Sequence, residues 1–239
     1  MQNTSALYQT IISGQHWKEV KAVIGGTTYG MDKLASVQTQ RAAFGSGTPQ
    51  IGIAVAGQAR ITMRGVSSES IPRMAKIQLY VRVCNATQQS EWLQKGTYFV
   101  DTRTAGTGNY LQIDAYDAML KAEQMMEWPE ELVWPLEDIE LVEMIAQDAL
   151  GVSVDSRTYT LMNQGFEIPV PSPDEYTCRE MLGYLAALYG GSFIINDMNR
   201  LQLICLWDKP EETFYLLIDP EGTGRVLIGG DRIILAARP

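Results

Sequence analysis

The chain has 239 residues, 46% of them hydrophobic and 20% charged, and a formal net charge of −9. These proportions belong to a packed globular protein and exclude a disordered one. No run approaches the roughly 18 apolar residues of a membrane helix. Residues 1–7 carry no basic region followed by an apolar core, so neither membrane insertion nor a secretory signal is expected.

In chain order, residues 18–24 alternate weakly and stop at the turn signal Gly25-Gly26. Residues 51–56 and 59–63 are short apolar runs on either side of Gly57-Gln58, a spacing that predicts a hairpin. The clearest strand is 76–83. There Ile77, Leu79, Val81 and Val83 point one way, and Lys76, Gln78, Tyr80 and Arg82 the other. One dry face and one wet face fit an antiparallel sheet. A second hairpin joins 96–101 to 110–115 through 102–109. The Gly106-Thr107-Gly108 of that loop lacks the following helix and the lysine of a phosphate loop, and reads as a turn.

The period then changes. Residues 116–126 read as a short helix leaving the sheet, and Trp128-Pro129 and Trp134-Pro135 break the chain. Pro135 stands where a helix begins, with a stripe of Leu136, Ile139, Val142, Ala146 and Ala149 and the acids Glu137, Asp138, Glu140 and Glu143 beside it. Gly151 closes this helix. Residues 152–173, with Pro169, Pro171 and Pro173, read as irregular. Asp174 is the expected N-cap of a further helix whose Cys178, Met181, Leu182, Leu185, Leu188 and Tyr189 form an apolar stripe ending at Gly190-Gly191. Strands at 192–196 and 200–206 follow around Asp197-Met198-Asn199. A last β stretch, 213–218 and 225–235, ends at Arg238-Pro239 without an obvious closing element, which fits an extended arm or an engineered truncation. No period of 20–50 residues repeats, so no solenoid or propeller is expected.

The fold class expected is α+β, mostly β: an antiparallel β-barrel or sandwich tube domain, or more than one, with an inserted helical segment and a helix–β-hairpin module. The expected division is a β-rich tube-like domain at 1–115, an acidic helical or irregular linker domain at 116–173, and the helix–hairpin module with the start of a second β domain at 174–239. Charge is uneven along these parts. Residues 1–113 hold 11 Lys and Arg against 5 Asp and Glu, a net +6, whereas residues 114–148 hold 1 against 11, a net −10. A solvated helical face explains the acids, and charge complementarity between neighbouring subunits or domains is the sharper reading. No basic cluster stands out, so sequence-specific nucleic-acid binding is not expected.

Groups for chemistry are few. His16 is the single histidine, and Cys84, Cys178 and Cys205 are far apart and next to apolar residues, so they read as three buried thiols. No catalytic, cofactor-binding or metal-ligating residue is assigned, no cofactor is expected, and the chain reads as a non-enzyme. A different class remains open: a carbohydrate-binding or carbohydrate-cleaving module in which Trp128 and Trp134 form a platform near Asp114, Asp117, Glu130 and Glu131. The more economical reading has the tryptophans plugging the junction between strands and helices. A generic adaptor is a third possibility.

Two ordered runs carry a resemblance. Residues 91–101, EWLQKGTYFVD, are followed after the loop by 111–120, LQIDAYDAML. Downstream, 177–186, TCREMLGYLA, lead to 190–195, GGSFII, and to 201–203, LQL. This order, over about residues 75–206, resembles the tail-tip and baseplate hub proteins of long-tailed phages and prophages, including the N-terminal hub part of the prophage tail endopeptidase-like group. The resemblance implies β-barrel domains that trimerise into a tube of pseudo-sixfold symmetry, with inserted helical domains. It implies a homotrimeric ring that joins tail tube to tip and passes DNA and tape-measure protein, with distal tail and tape-measure proteins as partners. The location implied is the virion tail, assembled in the bacterial cytoplasm. The chain departs from that pattern in lacking a C-terminal peptidase or lysin domain and in a short second tube domain, present at best from about residue 207. Assembly is therefore the property carried over, and no active site.

Overall fold

A computed structural model describes residues 4–43, 50–127, 132–162, 165–169 and 176–205, and the backbone alone of 215–218, 225–229 and 232–236. The chain divides into two units, Met1–Cys205 and Leu206–Pro239.

The first unit begins with a short helix, α1 (Ala6–Ile12), capped where the Ser5 hydroxyl accepts from the Tyr8 amide at 3.0 Å. Eight strands follow: β1 (Trp17–Ile24), β2 (Thr27–Tyr29), β3 (Leu34–Gln40), β4 (Ile53–Ala54), β5 (Gln58–Arg64), β6 (Lys76–Cys84), β7 (Leu93–Ala105) and β8 (Tyr110–Tyr116). Seven of them form one sheet in the order β2-β1-β6-β7-β8-β5-β3, antiparallel throughout. Alternation sets its buried face. Ala22, Ile61, Met63, Ile77, Val100 and Ile113 meet in one apolar cluster. The 76–83 pattern holds for Ile77, Leu79 and Val83. Val81 is only half-buried, because the β6–β7 register shifts between Leu79 and Tyr80. Among the described residues no closed barrel forms: β1 and β3, near the two ends of the order, touch without pairing.

The expected hairpin at 51–63 does not form. β4 pairs parallel with a strand far downstream, while β5 pairs with β3 and β8. The chain crosses between sheets at Val55–Gly57, because Gly57 is held from elsewhere, as described below. The β7–β8 hairpin does form, with longer strands and a shorter loop than expected, closed by the Gly106 amide on the Tyr110 carbonyl at 2.8 Å.

After β8 a 3-10 turn, Ala118–Glu123, leaves the sheet. Then come β9 (Leu136–Glu137) and α2 (Asp138–Met144), which continues as a π-helical turn, Ile145–Leu150, and ends at Gly151 with φ 67°. The 152–173 region is not wholly irregular. It holds β10 (Ser153–Val154), α3 (Ser156–Leu161) and β11 (Glu167–Ile168), the helix starting where Asp155 accepts from the Arg157 amide. Asp174 lies outside the described residues. The next helix, α4 (Cys178–Leu188), starts instead at a capping box, with Thr177 Oγ1 accepting from the Glu180 amide and the Glu180 carboxylate accepting from the Thr177 amide. The hairpin β12 (Gly191–Ile195) and β13 (Arg200–Cys205) completes a four-stranded sheet, β10-β13-β12-β4. Phe193, Leu182, Leu185, Leu201, Val142 and Met119 pack in its core. Gly183 is required where α4 crosses β4, since a Cβ there would stand 2.7 Å from the Gly52 carbonyl oxygen. The second unit is a three-stranded antiparallel sheet, β14 (Tyr215–Ile218), β15 (Arg225–Gly229) and β16 (Arg232–Ala236).

The architecture is thus mostly β, with one large antiparallel sheet and a few short helices.

Candidate functional site

The most connected buried carboxylate among the described residues outside the helix–hairpin module stands at the seam where the seven-stranded sheet meets that module. Asp117 follows β8 as the N-cap of the 3-10 turn and is 1% exposed. Its Oδ2 accepts from the Gly57 amide at 2.7 Å and its Oδ1 from the Met119 amide at 3.1 Å, while its own amide donates to the Gly57 carbonyl at 2.9 Å. One carboxylate therefore caps the 3-10 turn and pins the chain crossing that ruled out the hairpin. Residue 57 must be glycine, because a Cβ would lie 2.6 Å from Asp117 Oδ2 and 3.0 Å from Arg41 Cγ.

Two arginines flank this acid. Arg179, on α4, donates through Nη1 to the Ala54 carbonyl and through Nη2 to the Met119 carbonyl, each at 2.9 Å, and pairs with Glu123 at 2.8 Å. It thereby ties α4 to β4 and to the 3-10 turn. Arg41 pairs with Asp197 in the β12–β13 turn and donates to the Lys95 carbonyl at 3.3 Å and the Tyr98 hydroxyl at 3.4 Å. Asp197 also receives Lys95 at 3.6 Å. Nearby, Asp155 receives Arg157 at 2.7 Å and the Asn196 side-chain amide at 2.7 Å, and Asn196 Oδ1 accepts from the Met198 and Arg200 amides to shape the turn.

Burial pushes the Asp117 carboxyl up to about 6. Hydrogen bonds from Arg157 pull the Asp155 carboxyl down to about 2. The two act oppositely on stability. Asp117, raised in the folded state, contributes stability that is complete below the ordinary carboxylate range and lost as pH climbs through about 6. That loss amounts to about 2–3 kcal/mol. Asp155, depressed, contributes stability present above the ordinary value and lost as pH falls through about 2. Asp117→Asn keeps an acceptor for Gly57 but cannot ionise. The variant-minus-wild-type unfolding free energy, from urea titrations, is expected to grow more positive between pH 4 and 7 by about 2 kcal/mol. A difference that stays flat over that range would show that burial does not control this carboxyl.

Trp128, Glu130 and Glu131 lie outside the described residues. Asp114 is tied to Arg60 at 2.6 Å and Gln112 at 3.2 Å, and Asp117 is spent on backbone amides. Phe99 packs against the core of the helix–hairpin module, with the Lys121 ammonium 4.6 Å from its ring centre. Trp134 is half-buried beside β9. His16 holds its Nδ1 at 2.8 Å from the Gly14 carbonyl. Cys84 and Cys178 are buried free thiols, but Cys205 is only partly buried. Among the described residues no group of three or more His, Cys, Asp and Glu could hold a metal ion, and no helix is long and apolar enough to cross a membrane.

Sequence reading named Asp117 only as an acid and missed Arg41, Gly57 and the clasp role of Arg179. An Asp just before Ala118-Met119, where a strand gives way to a turn, is a legible cap signal. Arg41 had none, its carboxylate partner being 156 residues away.

No family model matches the chain. No curated protein matches it either. Solved structures similar to it include the 43 kDa tail protein of prophage MuSo2 from Shewanella oneidensis, at 15% identity and a TM-score of 0.48, over 77% of this chain and 52% of that one. Another is the tail protein from Neisseria meningitidis MC58, at 10% identity and a TM-score of 0.48, over 84% of this chain and 60% of that one. A third is prophage tail protein gp18 from Listeria monocytogenes EGD-e, at 8% identity and a TM-score of 0.43, over 92% and 68%. The chain thus spans about half the length of the Shewanella protein.

Proposed function

We propose that this chain is a structural subunit of a phage or prophage tail, placed at the hub or tail tip, where identical copies form a ring joining the tail tube to the tip. A trimeric ring that lets DNA pass, with distal tail and tape-measure proteins as neighbours, is the form proposed, in the virion tail after assembly in the bacterial cytoplasm. One observation carries the reading. The two runs that hold the resemblance, 91–120 and 177–203, interlock through Arg179 on the Met119 carbonyl, so the resembling residues build a framework. Their polar groups, Asp117, Arg179 and Asn196, bind backbone groups, as scaffold residues do.

The large sheet supports assembly by its edges. β2 and β3 each have a neighbour on one side only, and such edges pair readily with another chain. In a ring, copies would complete a barrel-like tube that one chain leaves open. The test is immunogold labelling of tailed particles with antibody to this chain, combined with negative-stain images of the purified protein. Label at the tail end distal to the head, and annular particles, are expected. Particles that carry no label anywhere on the tail would overturn the assignment.

A further inference from the structure

We propose that a cavity on the solvent face of β3 and β5 binds a neutral saccharide, held by the carboxamides of Gln38, Gln40 and Gln58. The site is independent of the assembly reading above and needs no second copy of the chain. The cavity measures about 330 Å³ and is lined by Gln38, Thr39, Gln40, Gln58 and Arg60. That volume falls within the roughly 300–1,000 Å³ of small-molecule sites. Strand pairing assembles the lining, with Gln40 opposite Gln58 and Gln38 opposite Arg60. Ala59 and Ile61, which alternate with Gln58 and Arg60 on β5, are fully buried, so the backbone beneath these side chains is fixed. A frame formed in advance loses little entropy when a ligand arrives.

The lining selects the ligand. Most small-molecule sites are walled by apolar groups with a few polar ones among them. Here three carboxamides and a guanidinium surround the space. Among the described residues no side-chain hydrogen bond or ion pair engages Gln38, Gln40 or Gln58. Each carboxamide offers an acceptor oxygen and two N–H donors, which complement a hydroxyl that both donates and accepts. Arg60 spends its Nε on Asp114 Oδ1 at 2.6 Å, and Asp114 Oδ2 accepts from Gln112 at 3.2 Å. That pairing cancels the charge, which disfavours an anion, and leaves the Arg60 Nη groups as further donors. Tyr116, opposite Gln58 on β8, adds an aromatic neighbour with an apolar body and a polar tip. Solvation alone does not account for this composition. A surface is ordinarily about a quarter or more Lys, Arg, Glu and Asp, and an edge strand is ordinarily guarded by lysine or proline. β3 carries no charged residue and no proline.

A microarray of neutral and acidic oligosaccharides, probed with the fluorescently labelled full chain, tests this. Calorimetry with the neutral oligosaccharide that binds most strongly on the array then gives the affinity. Neutral spots are expected to bind, equally well at low and at high salt, because no net charge holds the ligand. Gln40→Leu and Gln58→Leu are each expected to weaken binding by about tenfold or more, since a lost partner leaves a ligand hydroxyl unsatisfied. Gln78→Leu, on β6 of the same sheet and outside the cavity, is expected to leave binding unchanged. Circular dichroism checks that the variants fold. Where a leucine variant does not, Gln40→Glu or Gln58→Glu keeps the shape, removes the N–H donors and reads the same loss. Absence of binding to any neutral spot would overturn the site. So would wild-type affinity in the variants at both positions. Binding confined to acidic spots and lost at high salt would overturn it too, because the cavity would then take an anion.

Discussion

Arg179→Ala is expected to destabilise the first unit by about 2–4 kcal/mol, read as a lower urea midpoint with an unchanged slope. The guanidinium satisfies the carbonyls of Ala54 and Met119, which sit in residues 5% and 0% exposed. Truncation leaves both acceptors without that donor, and an unsatisfied buried acceptor costs more than a made hydrogen bond returns. The ion pair with Glu123 adds little, because the Glu123 side chain is 64% exposed. Arg179→Lys separates these effects. A single ammonium cannot reproduce the fork that spans two carbonyls, so about half of the loss should remain although the charge is kept. If Arg179→Lys is as stable as wild type, charge matters at this seam and the fork does not.

Phe193→Ala is expected to cost about 3–5 kcal/mol, because the ring is fully buried and the backbone around it is pinned on both sides. β12 is held between β13 and β4, with Phe193 opposite Leu203 and Ala54. The cavity therefore cannot collapse without breaking strand pairing. Phe193→Leu, which keeps most of the volume, should cost less than about 1.5 kcal/mol. Amide exchange should show lost protection spreading from β12 to β4, which has few other bonds to hold it. A loss below about 1 kcal/mol for the alanine variant would mean that the module's stability comes from elsewhere.

Much of the local structure was legible. The 76–83 alternation, the β7–β8 and β12–β13 hairpins and the α4 stripe from Cys178 to Leu185 each express a period of two or of three to four residues, which backbone geometry imposes within a few residues, although Leu188, expected on the same stripe, is 50% exposed. The true start of α4 was legible too, since Thr177-Cys178-Arg179-Glu180 is a capping box in plain sequence. Asp174 competed with it, and sequence offers no measure of which cap forms. The hairpin expected at 51–63 failed for a different reason. Its turn residues were suitable, but Gly57 was claimed by Asp117, and β4 found a parallel partner in β12.

The sequence by itself determined the β-rich character, the helix–hairpin unit, the segregation of charge and the two runs that resemble tail hubs. Only the tertiary structure decided which groups share the seam. It placed Arg179 on carbonyls up to 125 residues away and Arg41 on a carboxylate 156 residues away. It also buried Asp117 deeply enough to move its carboxyl up to about 6. The physical reason is that loop closure costs only slowly more as loops lengthen. A partner at 50 residues and one at 150 are nearly equal in cost, so the sequence near Arg41 or Gly57 holds no trace of the partner that packing selects.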